Sequence, residues 1–315
     1  MREYILKRLI TLVPILLLVA VIAFMLMHLT PGDPAAIMLG PEAMPKDIEQ
    51  LREELGLTKP IPVQFVLWIS RALQGNFGNS YYYGKPVLEV IVQRLEPTFL
   101  LTSYALVIAV LIGIPCGVVA AVRSDSSVDQ TTMVIALLGV SMPQFWLALN
   151  MIILFSVNMG WFPPTGYRPL SSGLVSNLEY LFMPAFALGF GQAALIARMT
   201  RSTMLEVIRE EYIKTARAKG LREFFVIMKH ALRNAFVEII TVIGMAFAVL
   251  MAGAFVIEIV FNIPGVGSLV INAVKRRDFP VIQGAMIFIA SVIVLVNLVV
   301  DIIYVYLDPR IRYEK

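Results

Sequence analysis

Hydrophobic positions along the chain fall into six long apolar runs, at about residues 9–29, 98–122, 132–158, 180–197, 236–260 and 282–307. A helix needs about 20 apolar residues to cross the hydrocarbon core of a bilayer. In lipid a segment must also satisfy its own backbone polar groups, which favours helices over open strands. Each run therefore predicts one transmembrane helix. Glycine and proline interrupt several runs, as at Gly113, Pro115 and Gly117 in the second. Such residues are tolerated where neighbouring helices approach closely or re-satisfy the backbone.

The polar segments carry patterns of their own. Residues 45–56 place apolar side chains at helical spacing and end on a glycine, and Pro60 to Leu73 reads as a second, more apolar helix. Gly75 and the turn-prone Asn76-Phe77-Gly78-Asn79-Ser80 follow it. This segment is too short and too apolar on one face to stand alone, so it is expected to cap the mouth of the helix bundle. After Pro264-Gly265, the residues Val266, Leu269, Val270, Ala273 and Val274 form an apolar stripe. That pattern suits a short interfacial helix gating the pathway, and equally a passive connection.

Composition agrees with a membrane protein. The 315 residues are 58% hydrophobic and 15% charged, with a mean hydropathy of +0.79, where soluble domains are roughly a quarter charged. Cys116 is the single cysteine and reads as a small packed hydrophobe. The net charge of +4 is modest, and no basic run alternates with aromatics, which argues against nucleic acid as a partner. Arg2, Lys7 and Arg8 precede the first run, which exceeds a signal-peptide core and lacks a small-x-small site before Thr30-Pro31-Gly32-Asp33-Pro34. It is expected to be a retained span.

Lysine and arginine placement sets the orientation. With both termini inside, the inner segments hold 16 of the 26 basic residues, nine of them between Arg198 and Arg233. The first outer segment holds six more beside eight acids, and its length puts it beyond the reach of the rule. Lys275-Arg276-Arg277 fits poorly, because it falls in the last outer loop.

The densest basic segment contains Glu210-Glu211-Tyr212-Ile213-Lys214-Thr215-Ala216-Arg217-Ala218-Lys219-Gly220-Leu221. It reads as a helix stopped at Gly220, with acids at its start and bases at its end, which suits the helix dipole. Ala216 and Gly220, four apart, leave one face nearly bare, so a partner's groove could approach the backbone. Spacing alone also admits a solvated helix at the membrane surface.

Residues 212–221, continued by His230-Ala231-Leu232-Arg233-Asn234-Ala235, resemble the cytoplasmic EAA loop of ABC importer permeases, those of the dipeptide/oligopeptide/nickel family above all. Further matching fragments keep the family's order along nearly the whole chain. They are Thr-Pro-Gly-Asp-Pro (30–34), Gly-Asn-Phe-Gly-Asn-Ser (75–80), Pro-Val-Leu-Glu-Val-Ile-Val-Gln-Arg-Leu (86–95) and Ser-Met-Pro-Gln-Phe (141–145). Phe-Asn-Ile-Pro-Gly-Val-Gly (261–267), Arg-Asp-Phe-Pro (277–280), Asn297 with Asp301, and Asp-Pro-Arg (308–310) complete the series. The motif after the first span looks like the first, B-type permease. Two positions depart from the pattern: Lys214 stands where the loop's naming glutamate falls, and Glu238 stands where many relatives carry proline.

The resemblance implies an all-α membrane protein of six transmembrane helices, the type I ABC importer (MetI-like) permease fold, with an extracytoplasmic helical insertion between helices 1 and 2. It divides the chain into residues 1–30, a cap at 31–97, the permease domain at 98–307 with its coupling loop at 198–233, and a cytoplasmic tail at 308–315. It implies half of a pathway for small peptides in a bacterial or archaeal cytoplasmic (inner) membrane, with nickel or metal chelates, glutathione or another peptide-like solute as alternatives. The implied partners are a second homologous permease, two ATP-binding subunits and an extracytoplasmic substrate-binding protein. The chain lacks a G-x-x-x-x-G-K-[ST] phosphate loop, so ATP and Mg belong to the partner ATPases and no cofactor or catalytic role is expected of the chain itself.

Carried over residue by residue, Glu211, Tyr212, Thr215, Ala216, Arg217, Ala218, Lys219, Gly220 and Leu221 would couple to an ATPase, with Arg217 and Lys219 meeting its acids. Asn262, Pro264, Gly265, Gly267, Arg277 and Asp278 would gate the outer mouth or contact the binding protein. Glu258 and Asp301, near span ends, are expected to bond neighbouring helices or, less readily, substrate. His28 and His230 lie at opposite faces, so no metal site is expected. A stand-alone channel would leave the basic loop without a job, and an intramembrane enzyme lacks a Ser/His or Asp/Asp constellation at common depth.

Overall fold

The computed structural model describes residues 2–40 and 42–307, with the side chains of residues 2–10, 55, 300, 301 and 303–307 outside the description. In chain order the helices are α1 (Arg2–Leu29), α2 (Pro34–Leu39), α3 (Pro45–Leu55), α4 (Ile61–Leu73), α5 (Val87–Val92), α6 (Leu95–Val122) and α7 (Ser127–Ser141). There follow α8 (Gln144–Met151), α9 (Leu174–Ile208), α10 (Glu211–Ala218), α11 (Glu223–Phe225), α12 (Leu232–Val260), α13 (Val266–Arg276) and α14 (Phe279–Leu307). π-helical turns extend α8 through Ile152–Asn158 and join α11 to α12 through Val226–Ala231. The chain forms two compact units. One comprises residues up to Glu96 with Pro264–Leu295, and the other Pro97–Ile263 with α14 from Val296.

Among the described residues, five helical segments are long and apolar enough to cross a membrane, and a bent pair makes a sixth. The run at 132–158, expected as one continuous span, is that pair: α7 and the extended α8 meet at 101°. The break follows from Pro143, which has no N–H to continue the helix and drives the preceding residue out of the helical region. Met142 is accordingly extended, at φ −78° and ψ 128°. α9 outruns its apolar run, with 35 residues or about 52 Å of helix.

In the second unit, α6 presents a stripe of one residue every four: Leu101, Ala105, Ala109, Gly113, Gly117 and Ala121 are all buried. Small residues let helix backbones touch, which matters in lipid, where the hydrophobic effect does little to drive helices together. A Cβ added at Gly113 would lie 2.7 Å from the Ala193 carbonyl oxygen of α9, and one at Gly117 2.5 Å from that of Ala197. From the other side, a Cβ on Gly189 would collide with the Ala105 carbonyl. Cys116, expected to be packed, is exposed, since its glycine neighbours hold the packed face.

In the first unit, α1 meets α4 through aromatic rings, with Phe24 centred 5.4 Å from Phe65 and 5.7 Å from Trp68. Asp33 accepts from the Ala35 amide at the start of α2 and from Arg52 of α3 at 2.8 Å, which gives Pro-Gly-Asp-Pro a structural use. α3 ends on Gly56 in the left-handed conformation, the stop its spacing predicts. Met27, Val87, Val90 and Ile91 join Leu269, Ala273, Phe279, Val281, Ile282 and Ala285 in one core. The segment between α1 and α6 therefore packs on α13 and the first half of α14.

The backbone contact between α6 and α9 yields a test. Gly117→Leu and Gly189→Ala are each expected to destabilise by about 1–3 kcal/mol, the cost of overpacking. Gly253→Ala should shift far less, because its Cβ meets only side-chain ends that can move, Gln144 Oε1 at 3.2 Å and Leu188 Cδ1 at 3.4 Å. Thermal unfolding monitored by size-exclusion chromatography in detergent measures the difference.

Candidate functional site

The polar segment after α9 is rigidly built. α9 continues to Ile208, and after two intervening residues α10 starts at Glu211. α10 ends at Ala218, Lys219 caps it, and Gly220 takes the left-handed conformation at φ +77°. Ile213 and Ala216 are buried in a cluster with Met204 of α9, Val226, Ile227 and Ala231 of the π turns, and Ala235 and Ile239 of α12. The Tyr212 hydroxyl accepts from Asn234 Nδ2 at 3.0 Å, and burial raises its pKa above the ordinary tyrosine value. Arg217 donates to both carboxylate oxygens of Glu223, at 3.2 and 2.7 Å, closing the turn around Gly220.

Two expectations change here. Ala216 is 7% exposed and faces the chain's own core, so it opens no surface to a partner. The reason is Ile213, three residues before it, which turns that face inward. Arg217 is engaged by Glu223, so it is not held ready for a partner's acid. Glu211, Thr215, Ala218, Lys219, Gly220 and Leu221 are exposed as the docking reading requires. Beyond them Phe224 and Phe225 are 69% and 51% exposed and extend the surface in apolar character. The sequence reading missed these two, although paired phenylalanines in a basic segment are a visible signal.

A second feature went unread. Arg201 on α9 donates to both oxygens of Asp129 on α7, at 2.5 and 2.6 Å. The Asp129 side chain is 3% exposed, and it also accepts from the Asp125 amide at 3.0 Å. Ser126 caps α7 through the Asp129 amide. The α6–α7 turn is thus fastened to α9 close to where α9 leads into α10. Seventy-two residues separate the pair, and only the Ser-x-x-Asp spacing marks the cap.

In the first unit, Asp278 sits at the corner between α13 and α14. It is 3% exposed, accepts from Ser80 Oγ at 2.5 Å, and faces the amides of Tyr82 and Val281. As a direct contact for a docked protein Asp278 is therefore excluded by burial, and it clamps the 76–83 loop. Gly265 and Gly267 are buried too, Pro264 is half-buried, and Arg277 is exposed in the left-handed conformation at φ +55°. Of the expected α13 stripe, Val266, Leu269 and Ala273 are buried but Val274 is 53% exposed. Arg276 lies 3.4 Å over the Tyr82 ring, a cation–π contact that gives one of the three misfit basic residues a place.

In the second unit, Asn262 is exposed and left-handed at φ +51°. Glu258 is fully buried and accepts from Thr98 Oγ1 of α6 at 2.6 Å, the helix-to-helix bond expected of it. Glu238 lies within an unbroken α12 and accepts from Thr203 of α9 at 2.9 Å, so losing the proline leaves the helix start intact. Asp301 is helical, but its side chain lies outside the described residues, as does the 308–315 tail. His28 donates from Nε2 to Gln64 at 3.1 Å. Among the described residues no three His, Cys, Asp or Glu side chains gather to hold a metal.

Comparison with known proteins bears on this arrangement. Residues 113–313 match the family described as binding-protein-dependent transport system inner membrane component. Residues 1–102 match the N-terminal region of such membrane components. A probable peptide ABC transporter permease of Sinorhizobium fredii is 44% identical over 99% of this chain and 100% of its own length. A putative peptide transport system permease of Brucella abortus is 45% identical over all of both chains, and a glutathione transport system permease of Salmonella choleraesuis 42% over the same extent. In fold, the chain resembles an inward-facing structure of the MetNI methionine ABC transporter. The TM-score is 0.57 at 20% identity, over 70% of this chain and 97% of that one.

The Asp129–Arg201 contact predicts a coupled pair. Removing either partner leaves a buried or half-buried charge without its counter-ion, a loss on the order of 3 kcal/mol. Asp129→Ala and Arg201→Ala should each lower the melting temperature, and the double variant should lose clearly less than the sum. Additive losses in that cycle would show the two side chains to be independent.

Proposed function

Because the chain belongs to the family of binding-protein-dependent transport system inner membrane components, we propose that it is the B-type permease subunit of an ATP-driven importer of small peptides. It would share the pathway with a second permease. Full-length relatives at 44% and 45% identity carry names that specify peptide transport. The glutathione permease at 42% keeps a modified tripeptide within the same class of solute. The composition, with six apolar segments and no phosphate loop, supports a subunit that conducts solute and leaves ATP hydrolysis to its neighbours.

The observation that carries the mechanism is the build of α10. A lever needs one face fixed to the moving body and the other free for the motor. Ile213 and Ala216 fix α10 to α9 and α12, while Thr215, Lys219, Gly220 and Leu221 face outward beside Phe224 and Phe225. On this reading the outward face seats in a cleft of an ATPase subunit on the cytoplasmic side. Closure of the ATPase pair then moves α9 and α12 through the cluster beneath α10, switching the bundle between its two states. Both termini lie in the cytoplasm, the loop between α1 and α6 lies outside, and a substrate-binding protein delivers the peptide there.

Gly220 is the sharpest test. Nothing lies within 4 Å of where its Cβ would stand, and its φ is +77°, so a side chain there reaches outward from a strained turn. Gly220→Trp should abolish ATP-dependent uptake of a labelled dipeptide into proteoliposomes holding the whole complex, with membrane insertion and assembly of the permease pair unchanged. Wild-type uptake by that variant would rule out docking through this turn. Uptake by the permease without ATPase subunits would instead identify a stand-alone transporter.

A further inference from the structure

The first unit holds a cavity of about 330 Å³ that the transport mechanism above does not use. This is at the small end of the range for small-molecule sites, roughly 300–1,000 Å³. Its wall comes from α1, α2, α3, α4, the 76–81 loop and the start of α14. Arg71, Glu54, Gln283, Trp68, Tyr81 and Phe24 supply its chemistry.

Gln283 is 5% exposed, and its Nε2 is buried with no hydrogen-bond partner among the described residues. A buried amide donor left open is costly, so its retention at a cavity wall points to a ligand. Gln64, on the same wall, shows what a satisfied amide looks like there. It donates to the carbonyls of Leu57 and Lys59 and accepts from His28.

The charges on the wall are also uncommitted to each other. Both are exposed at the cavity mouth; among the described residues Arg71 spends its Nε on the Leu67 carbonyl in its own helix, and Glu54 accepts from Gln50 in its own. No ion pair joins them among the described residues, although both line the one cavity. Burial, followed by the negative charges of Glu54 and Asp278, raises the Tyr81 pKa above its ordinary value. Opposite charges held apart, an open amide donor and flanking aromatic rings describe a receptor for a molecule with separated charges.

We propose that this cavity binds a small zwitterion of the free dipeptide class. Arg71 and Gln283 Nε2 meet its carboxylate, and Glu54 with Trp68 meets its ammonium group. The choice of a dipeptide rests on the peptide-import reading, but the binding itself needs neither ATP nor a binding protein. Failure of uptake and failure of this site are therefore separate results.

The test uses the assembled transporter in phosphatidylglycerol nanodiscs, without nucleotide or binding protein, and tritiated dileucine as probe. Saturable binding is expected, with hydrogen–deuterium exchange slowed in residues 64–81 and 280–283. Arg71→Ala and Gln283→Leu should each weaken binding about tenfold or more, and N-acetyl-dileucine amide, which lacks both charges, should not compete. If Gln283→Leu lowers the melting temperature, Gln283→Met and Glu54→Gln make the same comparison. The proposal is overturned by wild-type affinity in the variants, by protection confined to other segments, or by no saturable binding. It is also overturned if phosphatidylethanolamine in the nanodisc, and not dileucine, protects those residues, since the occupant would then be a lipid headgroup.

Discussion

The contact between α6 and α9 is the constraint on which the second unit rests. In water, burying apolar surface would bring these helices together; in lipid that drive is missing, and what remains is close packing and hydrogen bonding. Gly113, Gly117 and Gly189 remove the Cβ atoms that would hold the backbones apart, so carbonyls of one helix lie against the other. A contact of this kind tolerates little sliding. It gives α9 a fixed partner along much of its apolar length, and a helix of 35 residues can then emerge without losing its register.

Polar contacts complete what the glycines begin. Thr98–Glu258 ties α6 to α12, Thr203–Glu238 ties α9 to α12, and Arg201–Asp129 ties α9 to α7. A buried carboxylate is costly unless a donor meets it, and the buried Glu258 and Asp129 each have one already in place. The outcome is specificity as well as stability, because sliding one helix by a turn would strand a buried carboxylate. α7 can then take its sharp angle to α8 without drifting, since its first turn is held by Asp129 at one end and freed by Pro143 at the other.

The spans were legible because hydropathy answers a one-dimensional question, whether enough apolar residues run together. The same measure could not show that Met142-Pro143 divides one run into two helices, since both halves are equally apolar, although the proline itself was in view. Spacing likewise put Ala216 and Gly220 on one face of α10 without saying which face turns inward; Ile213 carried that information. Asp278 was picked out as a site residue, yet its partner Ser80 lies 198 positions away, and no local pattern reveals such a pairing. Gln283, near the start of an apolar run, reads only as a polar interruption until the cavity beside it is seen.

In the docking proposed for α10, strength of docking and strength of coupling are different quantities. Covering large apolar side chains such as Phe224 and Phe225 is worth about 1.5–3 kcal/mol each, ample to hold a partner. Energy that is equal in both states of the transporter shifts no equilibrium, however large. Only displacement passed to the pathway helices does so, and that depends on how stiffly α10 is joined to them. The buried Ile213 and Ala216, the bidentate Arg217–Glu223 closure and the Tyr212–Asn234 bond supply that stiffness from three sides. Ala216, which opens nothing to a partner, would still have a part in the proposed coupling: its small side chain lets α10 sit close on α9 and α12, and a closely seated lever loses less of its stroke.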